Sequence, residues 1–344
     1  MEIDIKKIIG ALGGTKNITV TVAGDFCLDK YLYSDPAMDE VSAETGLPCY
    51  MVHRKETFAG VGGTITNNLR SLGVNVYAAG VAGEDGEGFE LLRELDKTGV
   101  ETKFIVRTDK MCTGTYTKPM RLGADGKYKE SNRIDFRNFF ETPKEIEDKL
   151  IENIKKAVGL SDAVIVTDQF PRLNCSAVTE RVRDAVSKLA AANLDIIFYA
   201  DSRCFADRYR NVIVKCNHRE IVKTMAPELG EDIAGGAVFS CGKKLNGLTG
   251  RTVIVSEGDR GLNIFDNGHY RVPSFNVDGE IDITGAGDAT NAGLVTGLAL
   301  GLNMAEAGTL GCCVASITIK QIGVTGTATV GQVREVLEKR EKTD

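Results

Sequence analysis

The sequence predicts an α/β fold: a doubly wound, mainly parallel β-sheet flanked by helices, with a small β-sheet lid. Three observations support this prediction. Apolar runs of strand-forming residues alternate with segments of helical periodicity along most of the 344 residues. These runs are almost continuously apolar, which is typical of parallel strands covered on both faces. Two segments, approximately 31–58 and 113–135, interrupt the alternation.

Six apolar runs are predicted as strands of the main sheet. They are 18–24, 75–81, 163–168, 195–201, 212–216 and 252–258. Helix starts lie between them, and Thr142-Pro143-Lys144-Glu145 has the pattern of a capping box with proline at the first helical position. Right-handed crossovers between such strands give a doubly wound sheet. We expect residues 1–344 to form a single domain.

The two interrupting segments predict a second, smaller sheet. Both are rich in Tyr, Thr, Val, Lys and Arg, with short alternating patterns and turn signals such as Gly-Ala-Asp-Gly at 123–126. We interpret them as antiparallel strands that form a lid over a ligand crevice. The alternative is a pair of exposed hairpins without a role in binding.

Bulk properties argue against several classes of protein. A formal net charge of −6 and a pI near 5.4 disfavour nucleic acid as a partner. The N-terminus lacks a signal-peptide core and no apolar run reaches membrane-spanning length, so no membrane partner is expected. Nine cysteines without a Cys-x-x-Cys pair predict reduced thiols in a cytoplasmic protein. Three scattered histidines disfavour a His-dependent triad, so a carboxylate is expected to move any proton.

The stretch from Gly285 to Asp288 carries the strongest chemical indication. Gly285, Ala286 and Gly287 precede a small-residue segment that is predicted to be a helix. A helix starting there offers free backbone N–H groups to an anion, and small residues allow a phosphate to approach closely. Asp288 then lies in the first turn, where it can accept a proton from an attacking hydroxyl. An acidic helix cap beside a tight turn explains the same residues equally well.

Two further motifs admit both a structural and a functional interpretation. The glycine-rich stretch 58–73 opens a helix and could hold a sugar ring against its backbone. It lacks the ending of a P-loop, and no dinucleotide fingerprint follows the first strand. Asn217 and Glu220 have the spacing of a helix cap, while the functional alternative for Glu220 is a hydrated Mg²⁺ beside nucleotide phosphates.

Taken in order, five motifs resemble the ribokinase (PfkB-type) carbohydrate kinase family over nearly the whole chain. They are GDFCLD at 24–29, AGVGGTITNNLRSLG at 59–73, NHRE at 217–220, SEGDRG at 256–261 and DITGAGD at 282–288. The chain is most similar to the kinases of ADP-heptose synthesis, which phosphorylate heptose 7-phosphate, through GDFCLDKYLY and the stretches 133–136, 207–210 and 319–330. Bifunctional members carry a cytidylyltransferase domain, which we do not expect because the chain ends soon after the kinase portion.

The resemblance implies a ribokinase-like fold and a set of site residues. The catalytic group is Asp288 as general base with Gly285, Ala286 and Gly287 as the anion hole. The substrate group is Asp29, Gly60, Gly62, Gly63 and Thr64. The ATP group is Asn217, Glu220, Ser256, Gly258 and Gly261, with Glu220 holding Mg²⁺ through water. Asp282, Thr284 and the backbone of 323–327 are expected to enclose a monovalent cation such as K⁺. The family's lid often mediates dimerisation, so a homodimer is expected.

Departures from the family pattern fall on the sugar side. Val61 replaces a usual glycine and Thr64 a usual asparagine, residues 169–172 replace a glycine-containing turn, and Arg203 stands where lysine is usual. The predicted function is an ATP-dependent kinase for a sugar or sugar phosphate, with heptose 7-phosphate as one candidate. Alternatives are a kinase for a ketohexose, a ketohexose phosphate or a nucleoside, and a non-catalytic protein of the same fold that senses a sugar or nucleotide.

Overall fold

The protein is described by a computed structural model that covers residues 3–230, 236–323 and 325–342. In chain order its strands are β1 (Thr19–Gly24), β2 (Phe26–Ser34), β3 (Glu40–Val41), β4 (Pro48–Cys49), β5 (Val52–Val61), β6 (Asn75–Gly83), β7 (Val106–Thr108), β8 (Gly114–Leu122), β9 (Tyr128–Glu130), β10 (Ile134–Phe136), β11 (Ala163–Asp168), β12 (Ile197–Ser202), β13 (Ile213–Asn217), β14 (Val253–Ser256), β15 (Leu262–Asp266) and β16 (Gly268–Val272). Its helices are α1 (Ile5–Ala11), α2 (Gly62–Ser71), α3 (Gly86–Lys97), α4 (Lys144–Val158), α5 (Glu180–Ala192), α6 (His218–Met225), α7 (Ala237–Thr249), α8 (Ala286–Ala299), α9 (Met304–Thr318) and α10 (Val330–Glu341).

The main sheet confirms the predicted doubly wound architecture. Within the described ranges its order is β16-β15-β14-β13-β12-β11-β1-β6-β7. The strands from β14 to β7 are parallel, whereas β15 and β16 form an antiparallel hairpin at one edge. The chain extends the sheet in both directions from β1, and ligands of such sheets bind where the order reverses, at the carboxyl ends of the strands.

Apolar residues of the central strands alternate between two helical layers. In β1, Val20 and Val22 join the core formed with α2, α8 and α9, while Ala23 joins the core formed with α4 and α5. The same alternation holds in β11, where Ile165 and Val166 face opposite layers. Burial on both faces explains why these strands are apolar without interruption.

The small-residue character of α8 comes from its contact with α9. A Cβ atom on Gly293 would lie 2.9 Å from the Cα of Gly311, so only glycine allows the two helices to approach this closely. A long apolar helix pair is also a membrane signal, but no helix in the described ranges combines the length and hydropathy that crossing a bilayer requires.

The lid is a separate small sheet, as predicted, in the order β10-β8-β2-β5 with β9 paired to β8. Its first segment starts earlier than the predicted boundary, because β2 begins one residue after β1 ends, with Asp25 between them. The pairing is also not purely antiparallel: β2 and β8 run parallel. Both strands leave the main sheet from the same edge, and the sequence carries no local signal for that long-range pairing.

The predicted capping box before α4 is wrong in detail. The helix begins at Lys144 with Pro143 as its cap and no side-chain bond to the first amides. The hydroxyl of Thr142 instead donates to the carbonyl oxygen of Ser176 at 2.7 Å. The threonine therefore ties the start of α4 to the loop that precedes α5.

Candidate active site

A cavity of about 380 Å³ lies under the lid, where the carboxyl ends of β12 and β13 face the first turns of α2 and α8. Its lining brings together residues that are far apart in the sequence. They include Asp29, Val61 and Thr64 from the lid side, Asp201, Lys215, Asn217 and Glu220 from the main sheet, and Thr284, Gly285, Gly287 and Asp288 from α8 and the segment before it. The position matches the crevice expected for a doubly wound sheet.

Gly285 sets the geometry of the first turn of α8. It adopts a left-handed backbone with φ of 78°, and in the described structure no side chain caps the helix. A Cβ atom at this position would lie 3.3 Å from the methyl carbons of Thr64 and Thr325, so glycine suits both the backbone and the space. The predicted helix start is confirmed, and the positive end of the helix dipole points into the cavity.

Asp288 lies in that first turn, partly open to the cavity and otherwise surrounded by protein. Loss of hydration and the negative charge of Asp201 raise its pKa to about 7, while the cations Lys215 and Arg203 oppose the rise. A carboxylate with a pKa near neutrality is matched to accepting a proton at physiological pH.

Lys215 provides a buried positive charge beside Asp288. Its side chain is 5% exposed, and its Nζ lies 3.4 Å from Oδ1 of Asp201. Burial lowers its pKa, but the neighbouring carboxylates outweigh that effect, so the ammonium form is favoured. The Nζ also lies 3.1 Å from the place of a Cβ atom on Gly287, which puts a fixed cation at the α8 turn.

Asp201 is held in place by a chain of hydrogen bonds behind the cavity. Asn291 donates its amide to Oδ2 of Asp201 at 2.7 Å, and the hydroxyl of Tyr199 bonds to Oδ1 of Asn291 at 2.8 Å. Each of these groups is buried, so the bonds fix the carboxylate that in turn positions Lys215.

On the lid side, Asp29 lines the cavity and pairs with Lys118, whose Nζ lies 3.1 Å from Oδ1. The predicted glycine loop contacts the cavity only through Val61 and Thr64. The glycines at 60, 62 and 63 serve packing: a Cβ atom on them would lie within 3 Å of Asp29, the Asp25 carbonyl oxygen and Ala59, respectively.

Only two of the five residues predicted to bind ATP line this cavity. Asn217 and Glu220 line the cavity and also form the predicted capping box of α6. Burial raises the pKa of Glu220, and Arg203 lies 3.8 Å from its carboxylate. Ser256, Gly258 and Gly261 lie outside this lining, at the end of β14 and in the following turn, where both glycines have positive φ.

The predicted cation loop is ordered around Asp282. Its carboxylate accepts hydrogen bonds from the backbone N–H groups of Thr284 at 3.0 Å and Gly323 at 3.1 Å. Val324, within the predicted 323–327 backbone, lies outside the described residues. The structure shows no cluster of three or more His, Cys, Asp or Glu side chains arranged to hold a metal directly, as far as the described ranges extend.

Sequence reasoning missed several residues that line the cavity. They are Tyr116, Arg137 and Lys215. Lys215 did carry a signal, because it is a charge within the otherwise apolar strand 212–216. Arg137 lies just beyond the predicted lid segment and had none.

Two aspartates at strand ends have structural rather than cavity positions. Asp168 is fully buried and paired with Arg183, with 2.8 Å between Oδ2 and Nε. Asp25 accepts hydrogen bonds from the backbone N–H groups of Gln169, Phe170 and Ala177. The Asp25 carboxylate holds the loop after β11 against the end of β1, whereas the Asp168 carboxylate joins the end of β11 to α5.

Comparison with known proteins places this architecture in a family. A model of the pfkB family of carbohydrate kinases matches residues 26–329. The chain is 28% identical over 320 residues to the bifunctional protein HldE of Wolinella succinogenes, covering 93% of this chain and 64% of that protein. It is also 28% identical over 327 residues to the HldE protein of Hyphomonas neptunium, covering 94% of this chain and 64% of that protein. The chain thus spans less than two thirds of these relatives.

Solved structures show the same fold. The ribokinase of Arabidopsis thaliana complexed with ribose and ATP superposes with a TM-score of 0.67 at 17% identity, over 93% of this chain and 99% of that one. Phosphofructokinase-2 of Escherichia coli in complex with potassium superposes with a TM-score of 0.69 at 16% identity, over 94% of this chain and 99% of that one. Because the family model extends over most of the chain, from the start of the lid to the last helix, the chain belongs to the pfkB family of carbohydrate kinases.

Proposed function

We propose that the chain transfers the γ-phosphoryl group of ATP to a hydroxyl of a sugar phosphate, and that the main sheet and lid act together as one kinase domain. The observation that carries this proposal is the pairing of Asp288, whose pKa is raised to about 7, with the uncapped first turn of α8 and the ammonium of Lys215. A base, a set of anion-binding amides and a fixed cation are what phosphoryl transfer requires.

In this proposal each group has one task. Asp288 accepts the proton of the attacking hydroxyl as the oxygen bonds to phosphorus. The amides of residues 285–287 and the α8 dipole stabilise the charge on the transferred group. Lys215 neutralises part of the same charge, and Asp29 binds hydroxyls at the other end of the substrate.

Positive side chains at the lid end of the cavity support a substrate that already carries a phosphate. Lys118, Arg133 and Arg137 line the cavity from the lid side and Arg203 from the sheet side. Arg133 and Arg137 are anchored on Asp135, with nitrogen to oxygen distances of 2.6 and 2.9 Å. Heptose 7-phosphate is our leading candidate, supported by the similarity to HldE proteins.

Glu220 fits a hydrated Mg²⁺ better than a directly bound one, because one of its oxygens already accepts the backbone N–H of Asn217 at 2.7 Å. Bound Mg²⁺ would neutralise the phosphate charges of ATP. We place the predicted monovalent cation, such as K⁺, at the loop of Asp282 and Thr284, and nucleotide contacts at Ser256, Gly258 and Gly261. Phosphofructokinase-2, which shares the fold, was solved in complex with potassium, which supports including such a cation in the proposal.

We further propose a cytoplasmic homodimer assembled through the lid. All nine cysteines are free thiols, which suits a reducing compartment. The hairpin of β3 and β4 exposes Val41 at 72% and Leu47 at 65% of their surface, and Tyr50 beside it at 57%. Burying such side chains against a second copy is favourable.

The test is the variant Asp288→Asn, which removes the base while preserving size. A panel of sugars and sugar phosphates with Mg²⁺ and ATP identifies the substrate by ADP release. We expect turnover of that substrate to fall at least about 100-fold, with nucleotide affinity by calorimetry unchanged. Asp148→Asn, on the exposed face of α4, is the matched control and should retain full activity.

The outcomes separate the alternatives. Near-normal turnover in Asp288→Asn would refute the base assignment. Turnover of a nucleoside, a ketohexose or its phosphate instead of a heptose phosphate would keep the mechanism and change the substrate. No turnover across the panel, with ligands still raising the melting temperature, would favour a sugar- or nucleotide-sensing binding protein.

A further inference from the structure

Val61 has a backbone conformation that valine rarely adopts. Its φ is 57° and its ψ is −112°, at the junction between β5 and α2. A β-branched side chain is strongly disfavoured at positive φ, and such strain concentrates at functional sites. In the described ranges only Asn174 and Asn211 are other non-glycine residues with positive φ, and asparagine tolerates it far better.

The neighbours of Val61 show that this conformation is imposed by packing. Gly60, Gly62 and Gly63 have ordinary negative φ, yet none has room for a side chain. The N–H of Gly62 also donates to the carbonyl oxygen of Asp25 at 3.1 Å. The turn thus has glycine where space requires it and valine at the one position where the backbone favours glycine.

The valine side chain is therefore present for a reason other than the turn. Val61 lines the candidate active-site cavity together with Asp29 and the first turn of α8. It is the only aliphatic hydrocarbon side chain among the described lining residues, which are otherwise mostly charged or polar. A substrate hydroxyl placed against it would lose its water without gaining a side-chain partner.

We propose that Val61 is a specificity-determining residue that selects substrates with an apolar edge at this point. The carbon facing Val61 would bear hydrogen or a methyl group rather than a hydroxyl, so a deoxy sugar phosphate would be preferred over its fully hydroxylated parent, heptose 7-phosphate included. This inference rests on the proposed kinase function, because it concerns the sugar end of the same cavity. An aliphatic wall discriminates against an added hydroxyl by about 10- to 100-fold.

The experiment compares three variants: Val61→Gly, Val61→Ala and Val52→Gly. Sugar phosphates are supplied as matched pairs of parent and monodeoxy compound, for example ribose 5-phosphate with 2-deoxyribose 5-phosphate. We expect the wild type to favour one deoxy partner by at least tenfold in kcat/KM. Val61→Gly and Val61→Ala should both reduce that preference, because both make room for a hydroxyl and its water. Val52→Gly, at the start of β5, outside the cavity lining and without positive φ, should keep it.

Unfolding of the ligand-free protein tests the strain independently of catalysis. Val61→Gly should raise the melting temperature by about 2 °C or more, because glycine relieves the strained φ. Val61→Ala should not raise it, and Val52→Gly should lower it. A lower melting temperature for Val61→Gly, or an unchanged preference in Val61→Gly and Val61→Ala, would overturn the inference.

The design also separates this inference from the kinase proposal. If the wild type turns over no compound, the kinase proposal fails, and the same pairs are then compared by the shift in melting temperature that each ligand causes. A larger shift with one deoxy partner, abolished in Val61→Gly, would support Val61 as the selecting residue. Equal shifts for every pair would refute it.

Discussion

Asp288 and Lys215 lie side by side at the start of α8, and their charges control the pH at which the site works. The pKa of Asp288 is raised to about 7 by burial and by Asp201, and Lys215 keeps it from rising further. A general base acts in its ionised form, so kcat/KM should fall as the pH drops through about 7. A pH profile of the wild type checks this directly.

Removing the cation should shift that profile in a defined direction. In Lys215→Met the acidic limb should move to higher pH, because Asp288 loses the charge that lowers its pKa, and kcat should drop about 100-fold or more. Lys30→Met removes a lysine that lies outside the cavity lining and pairs with Glu87 at 2.7 Å and Glu90 at 3.0 Å, and serves as the control. An acidic limb that does not move in Lys215→Met would show that the lysine has only a structural role.

At this scale the sequence identified some site residues and missed others for a physical reason. Asp288 and Asp29 belong to motifs in which neighbouring residues point to the same chemistry. Asp201 and Lys215 lie on adjacent strands and pair in register, although they are 14 positions apart in the sequence. The carboxylate and the ammonium come together only when β12 and β13 pair, so no pattern of neighbouring residues predicts this ion pair.

At the scale of elements, a buried ion pair joins the end of β11 to α5. Arg183 of α5 donates to both oxygens of Asp168, at 2.8 and 2.9 Å, and Ser202 and Tyr209 donate to the same carboxylate. In Arg183→Met the carboxylate stays buried without its cation, which should cost about 3–5 kcal/mol in the free energy of unfolding by urea.

A neighbouring arginine on the same helix provides the comparison. Arg181 pairs with Glu147 and Asp148, but its side chain is 44% exposed. Arg181→Met should therefore change the free energy of unfolding by only about 1 kcal/mol or less. Equal losses in Arg181→Met and Arg183→Met would mean that burial does not govern the contribution of these pairs.

Element prediction succeeded where periodicity and burial agreed. The six apolar strands and the start of α8 were correct because each is specified by consecutive residues. The capping box at Thr142 was wrong, since its hydroxyl found a partner on a distant loop, at Ser176. The edge hairpin of β15 and β16 was not predicted, because its second strand is short and mostly exposed.

At the scale of the whole molecule, the exposed apolar side chains of the lid predict self-association. Val41→Asp combined with Leu47→Asp should shift the protein from dimer to monomer in light scattering after size-exclusion chromatography, because charges oppose burial of that surface. Leu194→Asp, exposed at 73% between α5 and β12, should leave the mass unchanged. A wild type that is monomeric at all concentrations would contradict the prediction.

The lid as a whole was predictable from composition, whereas its pairing was not. Short alternating segments identify strands locally. The parallel contact of β2 with β8 joins residues that are distant in the sequence, such as Leu28 and Thr115, and depends on where both strands leave the main sheet. The register between these two strands is fixed only when the whole chain has folded.

The ion pair between Asp29 and Lys118 has a consequence for substrate choice. Since Asp29 is already paired with Lys118, a sugar hydroxyl that binds this carboxylate displaces an existing contact. A hydroxyl that takes the carboxylate releases an ammonium, which then needs a new anionic partner. With a free sugar the ammonium keeps only the hydroxyl and ring of Tyr31, which are neutral, whereas a sugar carrying its own phosphate supplies the missing negative charge. Under the proposed function, breaking this contact is itself a form of selection for phosphorylated substrates.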